Sequence, residues 1–361
     1  MANLVSRVSA FYTRHQAWGP AAFFVAGFLF DVFTLSRIDD PFTIAQQVVY
    51  LILLSLYVAL EFREEKKPIQ VPERFKKIWS FHTEAAHFIF GSLLSLYTLF
   101  YFKSASLISA GFFMIVIAAI LVANEFEAVK RLGPAVRVAL LSFCLTSFFA
   151  AIVPMILGFI GMIPFLIAIG LTILWLYLLR KFVNRILGEP SDDRAWTVGA
   201  VVQGILLTLY VLRAIPPIPL SANFLGIYHE VRAKDGKFEL LYDRPFWKIW
   251  QRGDQTFKAR PGDKIYAFAS VFSPSGVQDQ IRVRWSYHDP RSGWQKADAI
   301  PISVRGGREQ GFRGFAFKQN YTPGDWRVSL ETSDGREFAR LGFTVVPDTS
   351  TERRTYYVDV Q

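Results

Sequence analysis

Cysteine is almost absent from this sequence of 361 residues: Cys144 is the only one, and it lies inside an apolar run. A single thiol excludes an intramolecular disulfide and a cysteine-based zinc or iron–sulfur cluster. Long apolar runs are absent from residues 218–361, whereas residues 1–217 contain several runs of about 20 residues, the length that a membrane-spanning helix needs. Composition therefore predicts two unlike parts, the second of which has to be stabilised by its own core.

Charge is missing between Arg137 and Arg180, where 42 consecutive residues carry none. A helix buried in a soluble core is seldom so long or so uniformly apolar, so this stretch predicts two membrane spans joined by a short hairpin around Gly158 and Gly161. Along the whole chain, the same criterion predicts an all-α membrane bundle of about seven transmembrane helices. The predicted spans are residues 19–37, 42–62, 86–103, 105–125, 136–157, 162–180 and 197–215.

Lysine and arginine are distributed unevenly between the two sides of this bundle. The segments on the side of the N-terminus carry 15 of them, and the segments on the other side carry three, Arg37, Lys103 and Arg213. Because cytoplasmic loops carry the excess of Lys and Arg, this bias predicts a multi-pass protein of the bacterial inner membrane with a cytoplasmic N-terminus. An odd number of spans then places the C-terminal part in the periplasm. The net charge of +10 is interpreted as orientation charge, so the lipid bilayer is a predicted partner and nucleic acid is not.

Three segments follow from these patterns. Residues 1–18 are a basic, weakly amphipathic stretch that is predicted to lie along the membrane surface. Residues 19–217 form the polytopic helical domain, which ends at Pro216 and Pro217 because proline cannot continue a helix. Residues 218–361 form the periplasmic domain.

From residue 218 onward the apolar period changes from helical to two. Along residues 281–288 and 326–331, apolar side chains alternate with polar ones, as in strands with one buried face. Turn sequences rich in Pro, Gly and Asp separate such runs. Seven or more short strands predict an all-β, immunoglobulin-like sandwich, with a small barrel as the structural alternative. The candidates for its large core side chains are Trp285, Trp294 and Trp326.

Ionisable and polar residues lie inside or at the ends of the predicted spans, where each is costly and has to face protein or water. Asp31 is interpreted either as a proton or cation relay or as a structural partner of Arg213 or Lys103. A second group lies at one depth, at the predicted cytoplasmic ends of three spans. This group comprises Glu61, His82, Glu84, His87, Asn124, Glu125 and Glu127.

Glu84 and His87 are three residues apart and share one helical face, which is the Glu-x-x-His spacing of carboxylate-bridged metal sites in helical bundles. The motif occurs once, whereas a two-metal site repeats it on a second helix. The pair is predicted to bind one divalent ion or a proton. Alternatively, both are interfacial residues, with Glu84 at the positive end of a helix dipole and His87 hydrogen-bonded inside the bundle. The question of a metal stays open, and no cofactor is predicted.

Arginines occupy the polar faces of the predicted strands. Arg282 and Arg284 share one face, and Arg313 and Arg327 lie on nearby segments. Since guanidinium groups pair well with phosphate and carboxylate, the four predict a site for an anionic lipid headgroup or an acidic partner, with a solvated charged face as the alternative. The aromatic and basic segment 246–250 predicts either a contact with the membrane interface or an ordinary strand packed on the sheet.

A family resemblance rests on the segments IYAFASV, VRWSYHD, IPISVRGGREQGFRGFAFK and PGDWRVSLETSDGREFARLGFTV. Between Lys264 and Val346, under a quarter of its length, the chain resembles the C-terminal domain of a bacterial membrane-protein family known as domain of unknown function 2914. The resemblance implies a membrane-tethered protein with this domain at its C-terminus. It implies no catalytic residues.

Catalytic motifs are missing from residues 218–361, which contain no G-x-S-x-G, no paired-histidine zinc spacing and no phosphate loop. The favoured function is therefore a scaffold or sensor of the inner membrane whose periplasmic sandwich binds an envelope protein, a glycan or a lipid headgroup. The alternatives are a small proton- or ion-coupled transporter and an intramembrane enzyme of lipid or cell-wall precursors. Both would use the Glu and His residues at the cytoplasmic ends of the spans.

Overall fold

Long apolar helices make up most of the N-terminal part of the chain. The computed structural model describes residues 38–67, 72–73, 79, 82–106, 111, 113, 115–117, 119–120, 133–245, 247–275, 277–305 and 311–361. Among these residues, five helices are long and apolar enough to cross a membrane. They are α1 Pro41–Lys66, α2 His82–Lys103, α3 Pro134–Leu157, α4 Met162–Leu187 and α5 Asp193–Val211. The predicted segments 1–18 and 19–37, and most of the predicted span 105–125, lie outside the described residues.

Aspartate caps determine where two of the helices begin. Asp40 precedes α1, and its carboxylate accepts a hydrogen bond of 2.8 Å from the backbone N–H of Thr43. Asp192 caps α5 in the same way, so that this helix begins four residues earlier than the predicted span 197–215 and ends at Val211. A criterion based on hydropathy alone does not detect such capped, polar turns.

The helical part differs from a soluble bundle in exposing large apolar side chains. On α4, Ile163, Ile173 and Leu174 are 60%, 50% and 51% exposed. By contrast, Thr146 and Gln203 are almost fully buried. An apolar exterior, combined with buried polar side chains that are hydrogen-bonded to one another, is the arrangement that a lipid environment favours.

Hydrogen bonds between side chains join α3 to α5. The amide nitrogen of Gln203 donates to Ser142 Oγ at 2.6 Å, and Thr146 Oγ1 donates to Gln203 Oε1 at 2.8 Å. The two helices approach closely at Gly199, whose carbonyl accepts from Ser142 Oγ at 3.0 Å. A Cβ atom at this glycine would lie 3.0 Å from Val138 Cγ1, so a small residue is needed here.

The C-terminal part consists of strands arranged in three sheets. The described strands are β1 Ser221–Tyr228, β2 Glu230–Lys234, β3 Lys237–Tyr242, β4 Thr256–Ala259, β5 Ile265–Phe272, β6 Gln278–Asp289, β7 Gly293–Arg305, β8 Phe312–Lys318, β9 Gly324–Glu331, β10 Glu337–Pro347 and β11 Tyr357–Val360. Their order is β1-β5-β8 in the first sheet, β4-β10-β9-β6-β7 in the second and β11-β3-β2 in the third. The β4–β10 pair is parallel.

One apolar core lies between the first two sheets. It contains Ile227 of β1 and Ala267 of β5 together with Trp285 of β6 and Trp326 of β9. The prediction that Trp285 and Trp326 are core residues is confirmed, since they are 0% and 4% exposed. The prediction for Trp294 is wrong: this side chain is 41% exposed on the edge strand β7, where the Arg327 guanidinium lies 4.3 Å from its ring centroid.

The chain divides into two compact units. The first, the helical unit, comprises Met1–Phe102, Phe112–Ala150 and Leu166–Leu212, and the second comprises Lys103–Gly111, Ala151–Phe165 and Arg213–Gln361. Within the second unit, Ser106 Oγ donates to Glu337 Oε1 at 2.7 Å, and Ile160 belongs to the core between the sheets. Two short segments from the ends of helices thus belong to the same unit as the strands.

Candidate functional site

A buried arginine is the centre of the strongest polar cluster in the helical unit. Arg137, in the first turn of α3, is 1% exposed. Its Nη2 atom lies 3.1 Å from Nε2 of His87 on α2, and its Nε atom lies 3.8 Å from Oε1 of Glu61 on α1. Three helices therefore contribute one charged or titratable side chain each to a site that we call the Arg137 cluster, formed by Glu61, His87 and Arg137.

The local sequence explains where the arginine lies but does not by itself favour it. Gly133 adopts a positive φ of 72°, and Pro134 begins α3 directly after it. A cation in the first turn of a helix is opposed by the helix dipole, and a buried guanidinium needs compensating partners. The position of Arg137 is consequently stabilised by Glu61 from another helix rather than by its own.

The hydrogen bonding of the cluster restricts the state of the imidazole. Arginine has only donors, so the contact at 3.1 Å requires Nε2 of His87 to accept, with the proton of the neutral ring on Nδ1. The carboxylate of Glu61 has one oxygen, Oε2, that is buried without a hydrogen-bond partner among the described residues. A carboxylate and an imidazole that both lie next to one guanidinium can take up or release a proton between helices.

A second imidazole lies near the same ends of α1 and α2. His82 Nε2 is 3.5 Å from Glu64 Oε2, and its Nδ1 is 2.5 Å from the carbonyl oxygen of Trp79. Its ring stacks on that of Trp79 with centroids 4.6 Å apart. Acidic and imidazole groups therefore recur along this end of the helical unit.

The sequence predicted part of this cluster. Glu61 and His87 were expected at one depth, and the structure brings both to Arg137. Arg137 itself was interpreted only as an orientation charge. Its position directly before a long uncharged stretch, and therefore within the predicted apolar helix, could have indicated that it is buried. The side chain of Glu84 and the residues Asp31, Asn124, Glu125 and Glu127 lie outside the described part of the chain.

The hypothesis of a metal ion receives no direct support from the described side chains. Among them, no group of three or more His, Cys, Asp or Glu residues converges as a ligand set. The Glu-x-x-His pair is not tested by this observation, because its glutamate side chain is among those that are not described.

The predicted arginine site of the β domain is divided between two sheets. Arg282, Arg284 and Arg327 lie on the second sheet, where β6 pairs with β9. Arg284 Nε donates to Glu331 Oε2 at 2.7 Å, so its charge is already partnered. Arg313 lies on β8 of the first sheet and donates to the carbonyl of Gly236 at 3.1 Å, so the four do not form one continuous face. Whether they bind an anion stays a prediction.

A buried titratable pair connects β1, β2 and the segment before β4. His229 Nε2 lies 3.6 Å from Asp254 Oδ2, and both side chains are almost fully buried. Desolvation raises the pKa of Asp254 to about 7, although its oxygens accept from the backbone N–H of Asp243 at 3.0 Å. Desolvation and the nearby charge of Arg354 lower the pKa of His229 to about 4. Burial therefore disfavours the charged form of both groups.

These features define a class of protein, one that combines apolar helices suited to a membrane with a C-terminal β domain. Residues 278–345 match the family described as Protein of unknown function (DUF2914). This range begins with β6 and ends within β10. The chain thus carries a DUF2914 domain in its C-terminal part, and the resemblance derived from the sequence is confirmed for this domain.

Solved structures show limited similarity. An immunoglobulin-like protein from Pseudomonas aeruginosa is 14% identical, with a TM-score of 0.20, and the match covers 32% of this chain and 97% of that one. A β-glucosidase from Listeria innocua in complex with glucose is 9% identical, with a TM-score of 0.19, over 37% of this chain and 18% of its own. A GH3 β-glucosidase from Bifidobacterium adolescentis is 10% identical, with a TM-score of 0.19, over 34% and 17%. This chain therefore spans less than a fifth of either glucosidase. Comparison with curated proteins finds no match.

Proposed function

We propose that the chain is an integral protein of the bacterial inner membrane that presents an immunoglobulin-like β domain in the periplasm, as a scaffold or sensor for an envelope component. The observation that carries this proposal is an aromatic face on the β domain, formed by Phe238, Tyr266, Phe315 and Phe317. Phe315 and Phe317 are 37% and 44% exposed, and Tyr266 lies 6.0 and 5.8 Å from their ring centroids.

The aromatic face has the composition of an interaction surface. The Lys264 ammonium lies 4.9 Å from the centroid of Phe317, and the Arg313 guanidinium lies 5.8 Å from that of Phe238. Aromatic residues and arginine are enriched in the cores of protein interfaces, and a cation over an aromatic ring is attracted to its face. β8, which carries both exposed phenylalanines, is also the last strand of its sheet, so that an extended segment of a partner can pair with it.

The predicted topology is supported by the segments that make up the second compact unit. The Lys and Arg bias predicts that the end of α2 and the hairpin between α3 and α4 lie on the same side of the membrane as the β domain. Segments 103–111 and 151–165 belong to one compact unit with the strands. The packing is therefore consistent with the charge bias, which predicts that the end of α2 and the α3–α4 hairpin lie on the same side of the membrane as the β domain.

Photo-crosslinking in intact cells tests the binding role. A photoreactive amino acid at Phe317 of the full chain is expected to form adducts with an envelope protein, glycan or lipid, whose mass identifies the class. The matched control is the exposed Arg291 in the β6–β7 turn, where adducts are expected to be few. Equal adduct yields at the two positions would show that the aromatic face is not a binding surface.

A second function, proton- or ion-coupled transport, is favoured by the Arg137 cluster. A buried guanidinium between a carboxylate and an imidazole is costly, and such groups mark ion or proton pathways in membrane proteins. Glu61→Gln and His87→Gln in proteoliposomes are expected to abolish a proton flux that the wild type shows. If the flux is absent from the wild type, or survives in both variants, this second function is eliminated and the scaffold proposal is unaffected.

A further inference from the structure

An exposed apolar loop lies between β3 and β4. We call residues 244–252 the tryptophan loop. Trp247, Ile249 and Trp250 are 55%, 82% and 67% exposed, and the two indole rings meet edge to face with centroids 5.6 Å apart. The alternative that this segment is an ordinary strand is wrong for its described residues, which form turns. Three large apolar side chains next to one another on a surface are unusual and indicate a contact surface.

Hydrogen bonds from the Arg244 side chain and within the backbone hold this loop in its exposed conformation. The Arg244 guanidinium donates to the carbonyl oxygens of Lys248 and Gln251, and Gln251 N–H donates to Lys248 O at 3.0 Å. At the base of the loop, Gly253 has a φ of 68°, and a Cβ atom there would lie 1.9 Å from the carbonyl oxygen of Ile227. The loop is thus prearranged to present its apolar side chains and is not a poorly packed strand.

The charge of the loop has one sign. Arg244, Lys248 and Arg252 are its charged residues, and the nine positions include no Asp or Glu. The Lys248 ammonium lies 5.4 Å from the centroid of Trp247, so a cation and an indole are presented together. Tryptophan is enriched at the headgroup level of membranes, and cations there are attracted by anionic lipids.

We infer that the tryptophan loop docks on the bilayer surface, with Trp247, Ile249 and Trp250 entering the headgroup region and Lys248 and Arg252 facing anionic headgroups. A bilayer is the occupant because the same chain contains five helices long and apolar enough to cross one. Tethering keeps the membrane at a high effective concentration, so that a few buried apolar side chains suffice for a stable contact. The inference rests on the membrane insertion that the proposed function includes, but it does not depend on the proposed binding role or on the side of the membrane.

Spin-label accessibility in the full chain tests this docking. In a Cys144→Ala background, a nitroxide is attached at Ile249→Cys, with Arg291→Cys in the exposed β6–β7 turn as the matched control. The protein is reconstituted as one copy per nanodisc of phosphatidylcholine and phosphatidylglycerol. The label at position 249 is expected to collide more with oxygen and less with a water-soluble nickel chelate than the label at 291. Replacing Trp247 and Trp250 by Ser is expected to shift position 249 toward the values of the control.

Three results would overturn the inference. Equal nickel accessibility at 249 and 291 means that the loop lies in water. Protection from both oxygen and nickel means that protein covers it, and protection that appears only with two copies per disc means that a second chain does. As a check that needs no new cysteine, brominated lipids are expected to quench the fluorescence of the wild type more than that of the Trp247→Phe, Trp250→Phe variant; equal quenching also overturns the docking.

Discussion

The helical unit and the β domain differ in the side chains that they expose. In the helical unit Ile173 is half exposed and Arg137 is buried, whereas in the β domain Arg282 of β6 is exposed and Trp285 is fully buried. Lipid accepts apolar side chains and excludes charge, and water does the reverse, so this difference is the one that the proposed membrane location of the helices predicts. The tryptophan loop is a part of the β domain that, like the helices, exposes large apolar side chains.

The largest expected effect comes from removing the buried charge of the helical unit. Arg137→Gln leaves Glu61 buried without its partner, so the free energy of unfolding in mixed micelles is expected to fall by about 3–5 kcal/mol. Arg180→Gln is the matched control, because this arginine forms an exposed ion pair with Asp193, and its loss is expected to cost less than about 1 kcal/mol. If both variants lose the same free energy of unfolding, Arg137 is not a buried, partnered charge that differs from the exposed Arg180.

The β domain allows the same comparison with tryptophan. Trp285→Ala deletes a fully buried ring and is expected to cost about 3–5 kcal/mol in domain stability, measured by hydrogen exchange of β6 and β9 in the full chain. Trp294→Ala removes a ring that is 41% exposed, and its cost is expected to be much smaller. A larger loss for Trp294→Ala would mean that the core between the sheets is wrongly described.

The buried pair of the β domain is expected to give two opposite pH dependences. In Asp254→Asn, His229 remains; its folded pKa of about 4 is below its ordinary 6.5, so stability is full above pH 6.5 and decreases as the pH falls toward 4. In His229→Gln, Asp254 remains; its folded pKa of about 7 is above its ordinary 3.8, so stability is full below pH 3.8 and decreases as the pH rises toward 7.

Each of these changes is on the order of 3 kcal/mol. In the wild type the two groups oppose each other between about pH 4 and 6.5, so its stability is expected to vary less there than that of either variant. The pH dependence of stability is measured by hydrogen exchange of β2 and β3 at several pH values between about 4 and 6.5. Slopes of the same sign in the two variants would refute the assignment.

The smallest effect is expected at the contact between α3 and α5. Gly199→Leu inserts atoms against Val138 and is expected to cost about 1–3 kcal/mol, measured by unfolding in mixed micelles. Gly204→Leu on the same helix is the control, because no atom lies within 4 Å of a Cβ built there. Equal behaviour of the two leucine variants would show that α3 and α5 do not meet at Gly199.

The parts of the fold that depend on local pattern were predictable from the sequence. The length of the uniformly apolar runs predicted the helices α1 to α5. The alternation of apolar and polar residues in β6 and β9 placed Trp285 and Trp326 in the core. Trp294 was misplaced because period and residue type do not show that β7 is an edge strand. Likewise, Glu61 and His87 were found from their depth, whereas the burial of Arg137 depends on how α1, α2 and α3 pack, which no single segment encodes.

Cysteine labelling in spheroplasts tests most directly whether the helical unit crosses a membrane and exports the β domain. In the Cys144→Ala background, Arg291→Cys in the β domain is expected to react with a membrane-impermeant maleimide in intact spheroplasts. Glu189→Cys, in the exposed segment between α4 and α5, is expected to react only after lysis. Labelling of both positions without lysis, or of Glu189→Cys alone, would contradict the account.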